Sequence, residues 1–363
     1  MSDGKKIIGK YIPLSAAIVI AVALGCAVLL LLSSLYTPLA DLLSASVGAL
    51  FRFTLGALTS LFPFSIFECL CILALPLIVL AIVLALTSRA DTAARVRTVF
   101  ILIAVISSVF ISYVFTLGVG FHTTTLEHRL GLDTENIERE ELLATASELV
   151  GEVNSLADKL GLRGVSELGY GDGELSRRLS DSYSALAEEL GFFKSIPTRV
   201  KPIRLSGIMS DAGITGIYSF FTGEANYNTA YPDYCTPYTV AHELAHQRGF
   251  SREDEANFMA YLVCISSPDD YIRYSGYLNL LEYLLGAVYR TDEDEYREIY
   301  SSLHPAARAD IAAAREVSRA HADTLLGKIS DSANDAYLKL NGTEGVVSYN
   351  LVVRLAVAYH TAR

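Results

Sequence analysis

Apolar positions follow two regimes along the chain. Residues 11–34, YIPLSAAIVIAVALGCAVLLLLSS, contain no charge. At about 1.5 Å per residue, such a helix crosses a hydrocarbon core of about 30 Å. A second run covers about 64–87, with Glu68 near one end, and a third covers about 99–120. These three runs are read as transmembrane helices. A signal peptide is set aside, because the first apolar region is too long and further spans follow. The stretch 37–62 is also apolar, but Asp41, Arg52 and several Gly and Ser residues interrupt it. It reads as an interfacial or re-entrant helix, or as a fourth span.

Beyond residue 120 the pattern becomes that of a water-soluble domain. Ile137, Leu142, Ala146, Leu149, Val153, Leu156 and Leu160 recur at helical spacing, which predicts a core-facing helix over 137–160. A second such pattern covers 174–190. From 198 the period shortens: TRVKPIRL and GITGIYSFFT are rich in β-branched and aromatic residues with Gly punctuation, and predict two or three strands between 198 and 228. From 236 the chain reads as helical nearly to its end. The expected architecture is α+β and helix-dominated: a membrane anchor over 1–120, then one domain over 121–363.

Charge divides at the same boundary. Residues 1–118 hold seven Lys/Arg and four Asp/Glu, whereas the rest holds 22 basic and 36 acidic residues, net −14. A domain so acidic repels phosphate backbones, so nucleic acid is excluded as a partner, and the acidity serves solubility. Lys5, Lys6 and Lys10 precede the first span, and Arg89, Arg95 and Arg97 lie between the second and third. By the positive-inside rule both flanks are cytoplasmic. With three spans, the polar domain then lies on the extracytoplasmic side of a multi-pass cell-membrane protein, with the lipid bilayer as its first partner. Of five cysteines, only Cys235 and Cys264 belong to the polar domain, where they are either a pair or two buried thiols.

The chemistry is concentrated in TPYTVAHELAHQRGFSREDEANFMAYLVC (236–264). Thr236 is expected to cap a helix, with Pro237 at its first position and Gly249 at its end. On a helix over about 237–248, His242 and His246 stand one turn apart on one face, so two imidazoles reach one metal ion. Glu243 lies beside them. This is the HExxH arrangement, in which two His bind zinc and the Glu is the general base. Ser251 opens S-R-E-D, a capping-box-like start to a second helix, which carries Glu253 and Glu255 as candidate third ligands.

HELAH followed by a helix with Glu-x-x-Ala-Asn resembles the gluzincin-type zinc metallopeptidases. That resemblance implies a zincin-like domain and assigns the third ligand to Glu253, with Asn257 one turn on as its supporting partner; Glu255 stays as the alternative ligand. The layout as a whole resembles a bacterial membrane family called domain of unknown function 3810. The resemblance rests on the apolar N-terminal runs, TGIYSFFTGEANYN (215–228), HELAHQRGFSREDEANFMAYL (242–262) and AYLKLNGTEGVVSY (336–349).

The expected activity is hydrolysis of a peptide or protein substrate, with Glu243 moving the proton of a metal-activated water. Tyr271, Arg273, Tyr274 and Tyr349 are candidate donors to the oxyanion. The strand GIYSFFT (216–222) is a candidate edge for an extended peptide. Glu224 reads as a turn or cleft residue and Glu68 as an interfacial carboxylate. His122 and His128 follow the last span and read as solvated, and His304, His321 and His360 are scattered without ligand spacing. The competing reading is a non-enzymatic, zinc-stabilised membrane sensor or scaffold, which requires a fourth protein ligand to close the site.

Overall fold

The computed structural model describes residues 12–87, 92–342 and 351–362. Tyr349 and the basic residues Lys5, Lys6, Lys10 and Arg89 lie outside them. The chain is helix-dominated, with one small sheet.

Four apolar helices open the chain: α1 (Leu14–Leu35), α2 (Thr37–Ser60), α3 (Ile66–Thr87) and α4 (Thr92–Thr116). Among the described residues, Leu14–Leu35, Thr37–Ser60 and Thr92–His122 are long and apolar enough to cross a membrane. Within the interrupted stretch 37–62, Thr37–Ser60 thus forms one long helix that includes a π-helical turn at Ser44–Gly48. Its buried stripe is Ala40, Ser44, Gly48, Arg52 and Gly56, one residue in four and therefore one face. Small side chains there let neighbouring backbone approach closely. At Gly223, whose φ is +71°, an added Cβ would stand 2.6 Å from Leu55.

Both ends of α2 are bonded to the polar domain. The Asp41 carboxylate accepts from the Thr124 N–H (3.0 Å) and Oγ1 (2.6 Å) and pairs with Arg129 at 2.6 Å. At the other end, Ser60 Oγ accepts from the Arg199 N–H (3.0 Å) and the Thr59 carbonyl from Lys201 Nζ (2.9 Å). The start of α3 is tied down as well. Glu224 caps it, accepting from the N–H groups of Ile66 (3.0 Å) and Phe67 (2.7 Å), where a helix leaves donors unpaired. Glu68 accepts from the Arg204 and Leu205 N–H groups at 2.8 and 2.7 Å. At the far end of α4, Ser112 and Thr116 donate to the Phe220 carbonyl.

A 3-10 turn (Gly118–His122) leads into the polar domain through α5 (Leu126–Leu130). The two expected amphipathic helices follow as α6 (Arg139–Leu160) and α7 (Asp172–Leu190), each stopped by a glycine at positive φ, Gly161 and Gly191. Leu142, Ala146, Leu149, Val153 and Leu156 of α6 are buried. Then come β1 (Lys201–Ile203), α8 (Ser206–Asp211), β2 (Gly216–Ser219) and β3 (Glu224–Asn228). The sheet order is β1-β3-β2, with β1 parallel and β2 antiparallel to β3, so β2 is an edge.

The rest is helical: α9 (Cys235–Arg248), α10 (Glu253–Ile265), α11 (Asp270–Thr291), α12 (Glu293–Ser301), α13 (Pro305–Ala320), α14 (Leu325–Leu340) and α15 (Leu351–Thr361). Leu244, Phe258, Met259, Tyr261, Leu278 and Leu281, from α9 to α11, form the solvent-free centre of the core. Cys235 and Cys264 are buried free thiols rather than a disulfide.

Candidate metal centre

α9 starts two residues earlier than its sequence suggests. A turn closed by the Cys235 and Thr236 N–H groups on the Pro232 and Asp233 carbonyls runs directly into the helix. Thr236 and Pro237 therefore lie inside the first turn, where the missing proline N–H has no helical acceptor to lose, and no side chain caps the start. The other end is closed as expected. Gly249 takes φ 106°, its N–H donates to the His246 carbonyl, and the Phe250 N–H donates to the Ala245 carbonyl. These two bonds make a Schellman stop. Phe250 then returns its own carbonyl to His246 Nδ1 at 2.7 Å. With Nδ1–H so engaged, the lone pair of Nε2 faces the cleft.

The second helix begins at Glu253, not at Ser251. Ser251 Oγ instead donates to the Leu117 carbonyl (2.8 Å), and Arg252 takes the capping position. The short crossing from α9 to α10 brings Glu253 onto the two imidazoles. His242 Nε2 and His246 Nε2 stand 3.1 Å apart, and Glu253 oxygens lie 3.3 and 3.6 Å from them. Three donors held about 2 Å from a tetrahedral zinc stand about 3.3 Å from one another, so the spacing fits. Glu255, the alternative ligand, is turned away: it accepts from the Leu126 N–H and from Arg252, each at 2.9 Å.

Charge within the cluster suits a divalent cation. Burial alone would raise the Glu253 carboxyl, but His246 and His242 hold it down at about 2. Burial lowers His246 to about 4, leaving it neutral. At His242 burial also acts downward, but Glu253 and Glu243 outweigh it and raise the ring. Among the described residues His242 Nδ1 and Asn257 Nδ2 are both buried without a hydrogen-bond partner, although Asn257 sits beside the His242 ring. Exchanging O and N of that amide gives His242 Nδ1 an acceptor and leaves Nε2 for a metal.

Glu243 is buried, and burial raises its carboxyl to about 8, with His242 opposing and Glu253 adding to the rise. The edge strand β2 passes it so closely that a Cβ on Gly216 would lie 2.5 Å from Glu243 Oε1. A cleft of about 680 Å³ opens over the cluster, lined also by Tyr218, Glu282, Tyr283, Arg315 and Tyr337.

Of the candidate oxyanion donors, Tyr349 lies outside the described residues, and the other three are not here. Tyr271 bonds Ser166 (2.9 Å), Tyr274 donates to Asp310 (2.8 Å), and Arg273 pairs with Asp270 and Glu152. Tyr283, which sequence reasoning missed, is on the same helix α11 and does line the cleft. Among the described residues its hydroxyl makes only a long contact, 3.4 Å, to Asn257. Burial, with the Glu253 charge, raises its pKa and keeps the proton on. The other histidines lie apart: His304 caps α13, His321 pairs with Asp211, and His360 bonds Tyr261.

A family model described as "Protein of unknown function (DUF3810)" matches residues 44–357. No curated protein and no solved structure matches the chain.

Proposed function

This chain belongs to the DUF3810 family, and we propose that it is a membrane-anchored, zinc-dependent peptidase of the gluzincin type. The observation that carries the reading is the convergence of His242, His246 and Glu253, with buried Glu243 on the same helix as the imidazoles and an edge strand alongside. Zinc would be held by His242, His246 and Glu253, with Asn257 orienting His242. When bound, it supplies the Lewis acid that polarises a carbonyl and acidifies a water. Glu243 takes the proton of the attacking water and passes it to the leaving amine. Tyr283 donates to the oxyanion as charge develops. The free edge of β2 aligns an extended peptide by main-chain hydrogen bonds.

The alternative, a zinc-stabilised sensor or scaffold, calls for a fourth protein ligand. Among the described residues no further His, Cys, Asp or Glu joins the three, which favours a position open to water. Glu243→Gln tests the reading: peptide hydrolysis should fall by about 10²- to 10⁴-fold while zinc stays bound. Undiminished hydrolysis would end the role given to Glu243.

The same reading assigns the crossings to α1, α3 and α4. α2 instead lies along the domain, because both its ends are bonded to it. The end of α1, the start of α3 and the end of α4 then share one side, opposite Arg95 and Arg97, which makes the domain side extracytoplasmic. A cysteine placed at Phe62 should react with an impermeant thiol reagent in intact cells, and one at Arg95 only after lysis. The opposite pattern would invert the topology.

A further inference from the structure

A second, smaller cavity of about 170 Å³ lies between α2 and the end of α9, bounded also by residues 123–124, 129 and 191–194. Four cations line it: Arg52, Arg129, Lys194 and Arg248. Its two carboxylates are already engaged, Asp41 by Arg129 at 2.6 Å and Glu255 by Arg252 at 2.9 Å. Among the described residues, no carboxylate pairs with Arg52, Lys194 or Arg248.

Two of these cations are buried. Arg52 is 4% exposed, and it donates only to the carbonyls of Ser44 (2.9 Å) and Phe115 (3.3 Å). Among the described residues its Nε is buried with no hydrogen-bond partner. Arg248, also 4% exposed, bonds only neutral groups: Ser195 Oγ, the Gln247 side chain and the carbonyls of Leu244 and Ile196. Its guanidinium also lies over the Tyr183 ring at 4.1 Å. A buried charge without a counter-charge is costly. Arg129, Lys194 and Arg248 belong to a domain of net charge −14, where a basic cluster short of acids is not a by-product of composition.

We infer that this cavity binds a phosphate group, held by Arg52, Arg248 and Lys194. Guanidinium forks match phosphate oxygens in pairs, and the unpartnered Nε of Arg52 is a donor without an acceptor. The volume admits a phosphate with a small substituent. Phe53, Phe192 and Phe250 on the walls leave an apolar side for an ester. Two sources share this chemistry: the phosphodiester of an anionic membrane lipid and free phosphate. α2, which forms one wall, exposes Leu42, Leu50 and Leu58, so the bilayer is close at hand. Phe250 also accepts the His246 Nδ1–H, so the phosphate site and the metal motif share a wall. The inference does not depend on peptidase activity.

The test uses the full chain in lipid nanodiscs and reads the unfolding midpoint. Phosphatidylglycerol is titrated into phosphatidylcholine discs; separately, inorganic phosphate is added at constant ionic strength. The midpoint should rise with one or both, since a ligand of the folded state stabilises it. A rise with phosphatidylglycerol alone assigns the lipid phosphodiester; a rise with inorganic phosphate assigns the free anion. Lys194 is exposed, so Lys194→Glu should fold. It should weaken the apparent affinity by about tenfold, the size of one lost charged hydrogen bond. Lys328→Glu, outside the cavity, should match the wild type. No rise with either phosphate source, or an equal rise in Lys194→Glu, would overturn the inference and leave the arginines as partners of backbone carbonyls.

Discussion

The two cavities beside α9 differ more in charge than in character of wall. The large cleft is lined by Glu243, Glu253, Glu282 and Asp331 against Arg315. The small one is lined by Arg52, Arg129, Lys194 and Arg248 against Asp41 and Glu255. One helix end serves both: His242 and His246 line the first, Arg248 and Gly249 the second. Buried charge without a partner is expensive, and the two linings differ in the sign of the charge they carry. Under the proposed function the cleft would take a cation, and under the further inference the pocket would take an anion.

The sharpest way to break this comparison is to exchange the fates of two acids two residues apart. Glu253→Ala should abolish tight zinc binding, measured against a competing chelator. Glu255→Ala should keep the zinc but lose roughly 2–3 kcal/mol of stability, because Arg252 and the Leu126 N–H are left unpaired. The reverse ranking would move the metal to the other carboxylate. A smaller effect is expected at the cleft wall. Gly216→Ala places a Cβ 2.5 Å from Glu243 Oε1 and 2.7 Å from Thr239 Cγ2, so the carboxylate or the strand must shift. Displacement on that scale should lower kcat by about 10- to 100-fold with zinc content unchanged. An unaltered kcat would mean that β2 does not position Glu243.

How far the chain discloses this arrangement depends on distance along it. His242, Glu243 and His246 are legible because one helical period joins them, and Gly249 marks the stop. Glu253 and Glu255 are not separable that way: they lie about 200° apart around a helix, and the choice rests on where that helix starts. Ser251 looks like its cap, yet its hydroxyl is taken by the Leu117 carbonyl at the end of the membrane region. Tyr283 stands 30 residues beyond Glu253 and reaches the cleft only through the packing of α11 on α9 and α10. Asp41 and Arg52 are visible interruptions in an apolar run, but their partners, Arg129 and the carbonyls of Ser44 and Phe115, are set mainly by tertiary contact. Glu224 and Glu68 read as minor polar residues, and the structure uses both to fasten α3 to the domain.

The most direct test of the central claim is the metal content of the purified full chain, wild type beside His246→Ala, after reconstitution with zinc. About one zinc per wild-type chain, lost in the variant, is the predicted result for a site with three protein ligands. A wild-type protein that takes up no zinc, or a His246→Ala protein that holds as much, would contradict it.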